Sequence, residues 1–166
     1  MSPTPDGPHG ASARPPGPTP GFLLWRLSMK WRVAVDRALA PLGLTHAQYS
    51  LLGSLHGMAA DGGRPSQRQL ADHTGLEPLY VSKLVRTLES AGLVERTKDP
   101  ADSRAVQLAL TSRGSEATAE AIDVVQELMD HLLTPLGGLD GQRAGVFARE
   151  LRTLLDVPLD PSSKES

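Results

Sequence analysis

The sequence predicts a mostly α-helical fold with one small β-hairpin, and three observations carry that expectation. Apolar residues recur at i, i+3, i+4 and i+7 in several segments, the spacing of one face of a helix. Two short apolar runs flank a single polar loop near residue 100, the pattern of a hairpin. Pro and Gly punctuate the chain between these segments. The 166 residues are enough for one core, or for a small domain with a dimerisation extension.

Taking the elements in order, residues 1–20 hold seven Pro and three Gly with hardly any apolar bulk, and are expected to form a disordered tail. From Phe22 the pattern turns helical. Leu24, Leu27, Trp31, Val35 and Ala38 make one apolar stripe, while Arg26, Lys30 and Arg37 cluster on another side. Phe22, Trp25 and Met29 add a second apolar patch. A helix apolar on two sides buries against two things, here its own core and a partner chain or ligand. Pro41 and Gly43 end it. Thr45-His-Ala-Gln48 has the form of a capping box and opens a second helix through Met58, with Tyr49, Leu51, Leu52 and Leu55 as its apolar positions. Asp61-Gly-Gly63 reads as a turn, and Ser66-Gln-Arg-Gln69 is a second capping box that starts a short helix ending near His73.

A fourth helix runs from Pro78, a residue whose missing N–H costs nothing at the first helical position, to about Ala91, where Gly92 stops it. Residues 94–97 and 105–110 read as strands around the polar loop from Lys98 to Arg104. Thr111 caps a long helix to about Leu133. Its apolar face is Ala121, Val124, Val125, Leu128 and Leu132, and its acids (Glu116, Glu120, Asp123, Glu127, Asp130) lie away from the centre of that face. Pro135, Gly137 and Gly138 interrupt the chain before a last helix over about 140–155 and a polar tail, 157–166.

The middle of the chain carries the functional signal. From Gln67 it reads QRQLADHTGLEPLYVSKL. A helix-turn-helix needs a small residue where its second helix crosses the first, and Ala71 supplies it. It needs a turn residue that accepts positive φ, and Gly75 follows four positions later. It needs apolar positions on the second helix, and Val81, Leu84, Val85 and Leu88 provide them. The remaining face, with Tyr80, Ser82, Lys83, Arg86 and Thr87, is left to enter a major groove. A plain helical hairpin has the same bare pattern. The polar hairpin that follows, with Lys98 and Arg104, stands where a winged helix carries its wing, and an Arg at a wing tip can enter the narrow minor groove.

Residues 88–114, LESAGLVERTKDPADSRAVQLALTSRG, resemble the wing region of the MarR family of transcriptional regulators. Leu88-Glu89, Gly92-Leu93-Val94, Arg96, Asp102, Arg104, Leu110-Thr111 and Gly114 carry the likeness, and GLTHAQYSLL at 43–52 resembles the family's second helix. The resemblance, covering about 22–156, implies a homodimer in which residues 22–42 and 114–156 form a helical dimerisation arm around a winged helix-turn-helix at 43–113. By position it implies that Ser66, Gln67 and Arg68 face phosphates and that Pro78, Tyr80, Ser82 and Lys83 meet bases and backbone. It also implies that Asp102 orients Arg104 in the minor groove. Leu79 and Tyr80 depart from the small polar residues of the family at that helix start. A repressor of a pseudo-palindromic operator is the expected activity, since a dimer reads two half-sites about one helical turn apart.

Such proteins often release DNA when a small molecule, commonly an aromatic acid, enters a cleft bounded by the first, second and fifth helices. Trp25, Arg26, Lys30, His46, Tyr49 and His56 are the candidates here, with Arg26 or Lys30 to meet a carboxylate. Other chemistry is poorly supported. Cysteine is absent, which excludes disulfides, thiolate zinc sites and thiol sensors. His9, His46, His56, His73 and His131 are scattered without ligand spacing, so no metal or cofactor is expected. No phosphate-binding Gly loop, G-x-S-x-G or flanked carboxylate pair points to an enzyme. No apolar run approaches the roughly 20 residues of a membrane span, none in the first 21 residues suits a secretory signal, and a cytoplasmic protein is expected. Residues 1–63 and 64–113 each carry +2, whereas 114–166 carry −6, so the acidic final third belongs away from DNA. A winged-helix module binding protein, and a metal-responsive regulator with ions held across a dimer interface, are the alternatives.

Overall fold

Helix starts fall where a side chain can satisfy an amide left over by the first turn. The computed structural model describes residues 17–60, 62–98 and 106–159. Within them lie α1 (Pro20–Leu39), α2 (His46–Ala59), α3 (Gln67–Thr74), α4 (Pro78–Ser90), β1 (Val94–Lys98), β2 (Val106–Leu110), α5 (Ser112–Leu133) and α6 (Gln142–Leu155), a mostly helical chain with one small antiparallel sheet. Both capping boxes are formed. Gln48 donates its amide to Thr45 Oγ1 at 3.2 Å and accepts from the Thr45 amide at 2.9 Å. Gln69 and Ser66 make the same reciprocal pair at 3.1 and 2.8 Å. A contact not foreseen adds to the first box: Asp36 on α1 accepts the His46 amide at 2.7 Å, tying α1 to the start of α2.

Three expected boundaries shift. The first helix begins at Pro20, because Thr19 Oγ1 caps the Phe22 amide at 3.3 Å and Pro20 occupies the first turn. The helix and its cap therefore take in the end of the tail expected over 1–20, of which residues 1–16 lie outside the described residues. The last helix begins at Gln142, since Gly137 and Gly138 take φ of +95° and +79° and the chain then folds back, with the Leu139 amide on Asp130 Oδ1 at 2.8 Å. Lys98 belongs to β1, paired with Val106, and the loop residues 99–105 lie outside the described residues. The hairpin also gains a third partner: Leu108 donates to the Pro65 carbonyl at 2.9 Å and Ser66 bridges Gln107, which joins the wing to the start of α3.

The core collects Leu51, Leu52 and Leu55 from α2, Val81, Val85 and Leu88 from α4, Leu108 from β2 and Ala121 and Val125 from α5. The stripe of α1 divides along its length. Val35 and Leu39 are fully buried, Trp31 is half-buried, and Leu24 and Leu27 stay exposed. Leu23, Leu24 and Leu27 line an apolar groove of about 280 Å³ with Phe147, Leu151 and Leu154 of α6. All five acids named on α5 are exposed. No helix of the described residues is long and apolar enough to cross a membrane.

Candidate nucleic-acid interface

The helix-turn-helix is assembled as its spacing requires. Ala71 is only 3 % exposed, and a larger residue there would hold α3 and α4 apart. Gly75 takes φ +67°, in the left-handed region that costs Gly little, and ends α3 so that the chain can turn into α4. Val81, Val85 and Leu88 are buried and Leu84 is half-buried, leaving Lys83, Arg86 and Thr87 exposed, Tyr80 44 % exposed and Ser82 half-buried. Arg86 Nη2 donates to Ser82 Oγ at 3.3 Å and Thr87 Oγ1 to the Lys83 carbonyl at 3.1 Å. Ser66 and Gln67 are half-buried and Arg68 is exposed at the start of α3, and Pro78 is exposed at the start of α4.

One residue of this surface is given no role by the sequence, only a departure from the family's pattern. Leu79 is 84 % exposed. At about 100° per residue, Lys83, Arg86 and Ser90 fall within roughly 40° of Leu79 around the helix, opposite the buried stripe. The helical spacing carries the signal, since Leu79 falls outside the apolar positions Val81, Leu84, Val85 and Leu88.

The base of the wing is fastened by polar contacts. Arg96 on β1 donates to Glu89 on α4 at 2.8 Å, and Arg64 pairs with Glu95 at 3.5 Å. Thr111 Oγ1 donates to the Gly92 carbonyl at 2.7 Å and accepts the Gly114 amide at 2.9 Å, while Arg113 donates to the Ala91 carbonyl at 3.1 Å. Gly114 is buried against Leu93, where a β-carbon would overlap the Leu93 carbonyl oxygen.

Comparison with known proteins agrees with this geometry. A sequence model described as MarR family matches residues 42–105. The chain is 42 % identical over 113 residues to YdcH, an uncharacterized HTH-type transcriptional regulator of Bacillus subtilis (strain 168), covering 68 % of this chain and 77 % of that protein. The chain belongs to the MarR family. Among solved structures it is similar to the transcriptional repressor CouR bound to a 23-mer DNA duplex, at 28 % identity and TM-score 0.70 over 82 % of this chain and 92 % of that one. It shares its fold with the S. aureus MepR–DNA complex, at 24 % identity and TM-score 0.74 over 84 % and 97 %. The family is one of transcriptional regulators, not of enzymes.

With MarR membership in hand, the signature residues acquire separate physical jobs. Glu89 and Arg96 clamp strand to helix, and Gly92 (φ +70°), Thr111 and Gly114 form the joint between wing and α5. Asp102 and Arg104, the pair assigned to the minor groove, lie outside the described residues.

Among the described residues, the six candidates for an effector site are spread over α1 and α2. Trp25, 57 % exposed and packed on Phe22 with ring centroids 5.8 Å apart, stands with Arg26 and Lys30 on the part of α1 that projects beyond the core, and His56 is exposed on α2. Tyr49 lines a groove of about 600 Å³ with Ser50, Gly53 and His73. His46 lines a different cleft, of about 540 Å³, with Arg32, Asp36, Ser50, Thr74 and Tyr80. This cleft is bounded by α1, α2 and the α3–α4 region, where α5 was expected. Burial lowers the His46 pKa below 6.5, with Asp36 opposing and Arg32 reinforcing. Burial also raises that of Tyr49. Among the described residues no three His, Cys, Asp or Glu converge as metal ligands.

Proposed function

We propose that this MarR-family protein acts in the cytoplasm as a homodimeric repressor of a pseudo-palindromic operator, released by a small-molecule effector. The observation that carries DNA binding is the solvent face of α4, where Lys83 and Arg86 stand exposed on a helix anchored by Val81, Val85 and Leu88. Ser66, Gln67, Arg68 and Lys98 position the backbone, because phosphate contacts orient a protein on the duplex. Pro78, Tyr80, Ser82, Lys83, Arg86 and Thr87 meet the major groove. Asp102 holds Arg104 toward the minor groove, a role that rests on the resemblance of residues 88–114.

Support for the dimer is the apolar surface that one chain leaves open: Phe22, Leu23, Leu24, Trp25 and Leu27 on α1 and Leu154 and Leu155 on α6. Exposed apolar area of this extent on two adjoining helices marks an interaction surface. We place the effector in the cleft of Arg32, Asp36, His46 and Tyr80. Arg32 offers a carboxylate its charge, and Tyr80 belongs both to the cleft and to the third position of α4, so a ligand there acts directly on the start of the recognition helix.

The test is selection of bound duplexes from a random pool, followed by anisotropy titrations at graded salt and a screen of aromatic acids on the recovered site. Selection of a two-fold symmetric sequence, with affinity falling as salt rises, is expected. Recovery of no duplex, or affinity indifferent to salt, overturns the reading and favours a module that binds protein.

A further inference from the structure

Resting on the reading of α4 as a recognition helix, we infer that Leu79 reads a thymine in the major groove through the 5-methyl group of the base. Leu79 makes no contribution to the core: it is 84 % exposed, at the centre of the face opposite Val81, Val85 and Leu88. A leucine left so open has no folding role, and hydration of its side chain is unfavourable. Its neighbours on that face identify the occupant. Lys83 and Arg86 follow one and two turns later on the same line, so whatever covers Leu79 also presents negative charge to them. Ser82, Thr87 and Ser90 complete a face otherwise built of hydrogen-bonding groups.

Duplex DNA presents both chemistries at this separation, phosphates along the rim and base edges on the groove floor. Of the four bases, thymine alone shows an apolar group in the major groove, its 5-methyl, and aliphatic or methyl-bearing side chains contact it. Leu79 lies in the first turn of α4, next to Pro78, and the N-terminal residues of a recognition helix are those that reach base edges. Leu79 has no polar atom with which to read a donor or acceptor. Its selectivity is thus for the methyl group itself.

The experiment uses the full-length protein and the duplex recovered by selection. Each thymine is replaced in turn by deoxyuridine, which removes the methyl group and leaves pairing and charge intact, and each duplex is titrated with wild type and with Leu79→Ala. At one thymine per half-site, deoxyuridine should weaken wild type about fourfold, the effect of one buried methyl group. Leu79→Ala should bind the unmodified duplex at least as weakly and be indifferent to deoxyuridine at that position alone, while its circular dichroism and its salt dependence match wild type. Equal response of both proteins to every replacement overturns the thymine reading and leaves the DNA-binding function standing. Failure of wild type to select any duplex in a salt-dependent manner overturns the function and this inference together.

Discussion

The winged domain and the two arms, the first half of α1 and the end of α6, are built from similar apolar repeats but complete them differently. In the winged domain the repeats close on one another: Leu51, Leu52, Leu55, Val81, Val85, Leu88 and Leu108 are each at most 1 % exposed. In the arms the same periodicity ends in the open, with Leu24 48 % and Leu154 58 % exposed. Periodicity reports that a face is to be buried without naming the chain that buries it. Burial in the winged domain, completed by Val35 and Leu39 of α1 and Ala121 and Val125 of α5, is thus settled within one chain, whereas the open apolar surface of the arms is covered only in the dimer proposed above.

Changes at the joint and in the arms should separate these two kinds of stability. The largest effect is expected at Gly114. Gly114→Ala drives a β-carbon into the Leu93 carbonyl, backbone against backbone, and should cost about 3 kcal/mol or more, seen as a lowered midpoint of thermal or urea unfolding. A wild-type midpoint would mean that α5 is free to slide off the wing. Next come Leu24→Asp and Leu154→Asp in the apolar groove between α1 and α6. An unpaired carboxylate buried in an interface costs several kcal/mol, so sedimentation should show dimer affinity reduced at least about a hundredfold, with the winged domain still folded by circular dichroism. Unchanged sedimentation would put the dimer contact elsewhere.

A smaller effect is expected from Lys83→Ala. It should weaken binding to every duplex and lower the salt slope by about one counterion, with unfolding unaffected because the side chain is exposed. An unchanged slope would remove Lys83 from the interface. The smallest concerns His46. Its folded pKa is depressed by burial, so the unfolded chain takes up the proton more readily, and stability present well above pH 6.5 is lost as pH falls through that value. Wild type should lose more stability between pH 7.5 and 5.5 than His46→Gln does. Identical pH profiles would show that the imidazole is hydrated on both sides of unfolding.

How far the sequence could be read follows the same division. Both capping boxes, the Ala71–Gly75 turn and the buried positions of α4 were legible because each depends on residues a few positions apart. The contacts that escaped join distant segments: Asp36 on the His46 amide, Leu108 on the Pro65 carbonyl, Gly114 under Leu93. No local pattern encodes such pairings. On α4 the exposed face falls where the helical spacing put it, but Leu79 was noted only as a departure from the family's small polar residues, with no role of its own. The effector candidates were gathered from aromatic and basic residues on α1 and α2. Arg32 and Asp36, which share a cleft with His46, were not among them, because Thr74, Leu76 and Tyr80, distant in sequence, close that cleft.

The joint at Gly114 turns α5 into a lever. With Thr111 locked to Gly92, Arg113 to Ala91 and Gly114 pressed on Leu93, the helix cannot tilt without carrying the base of the wing. Its 22 residues span about 33 Å at 1.5 Å per residue. A tilt of about 6° about its far end moves the wing base by about 3.4 Å, one base-pair step along a duplex. The position of the wing is therefore tied to the direction of α5, which packs on α1 and α2 along its length.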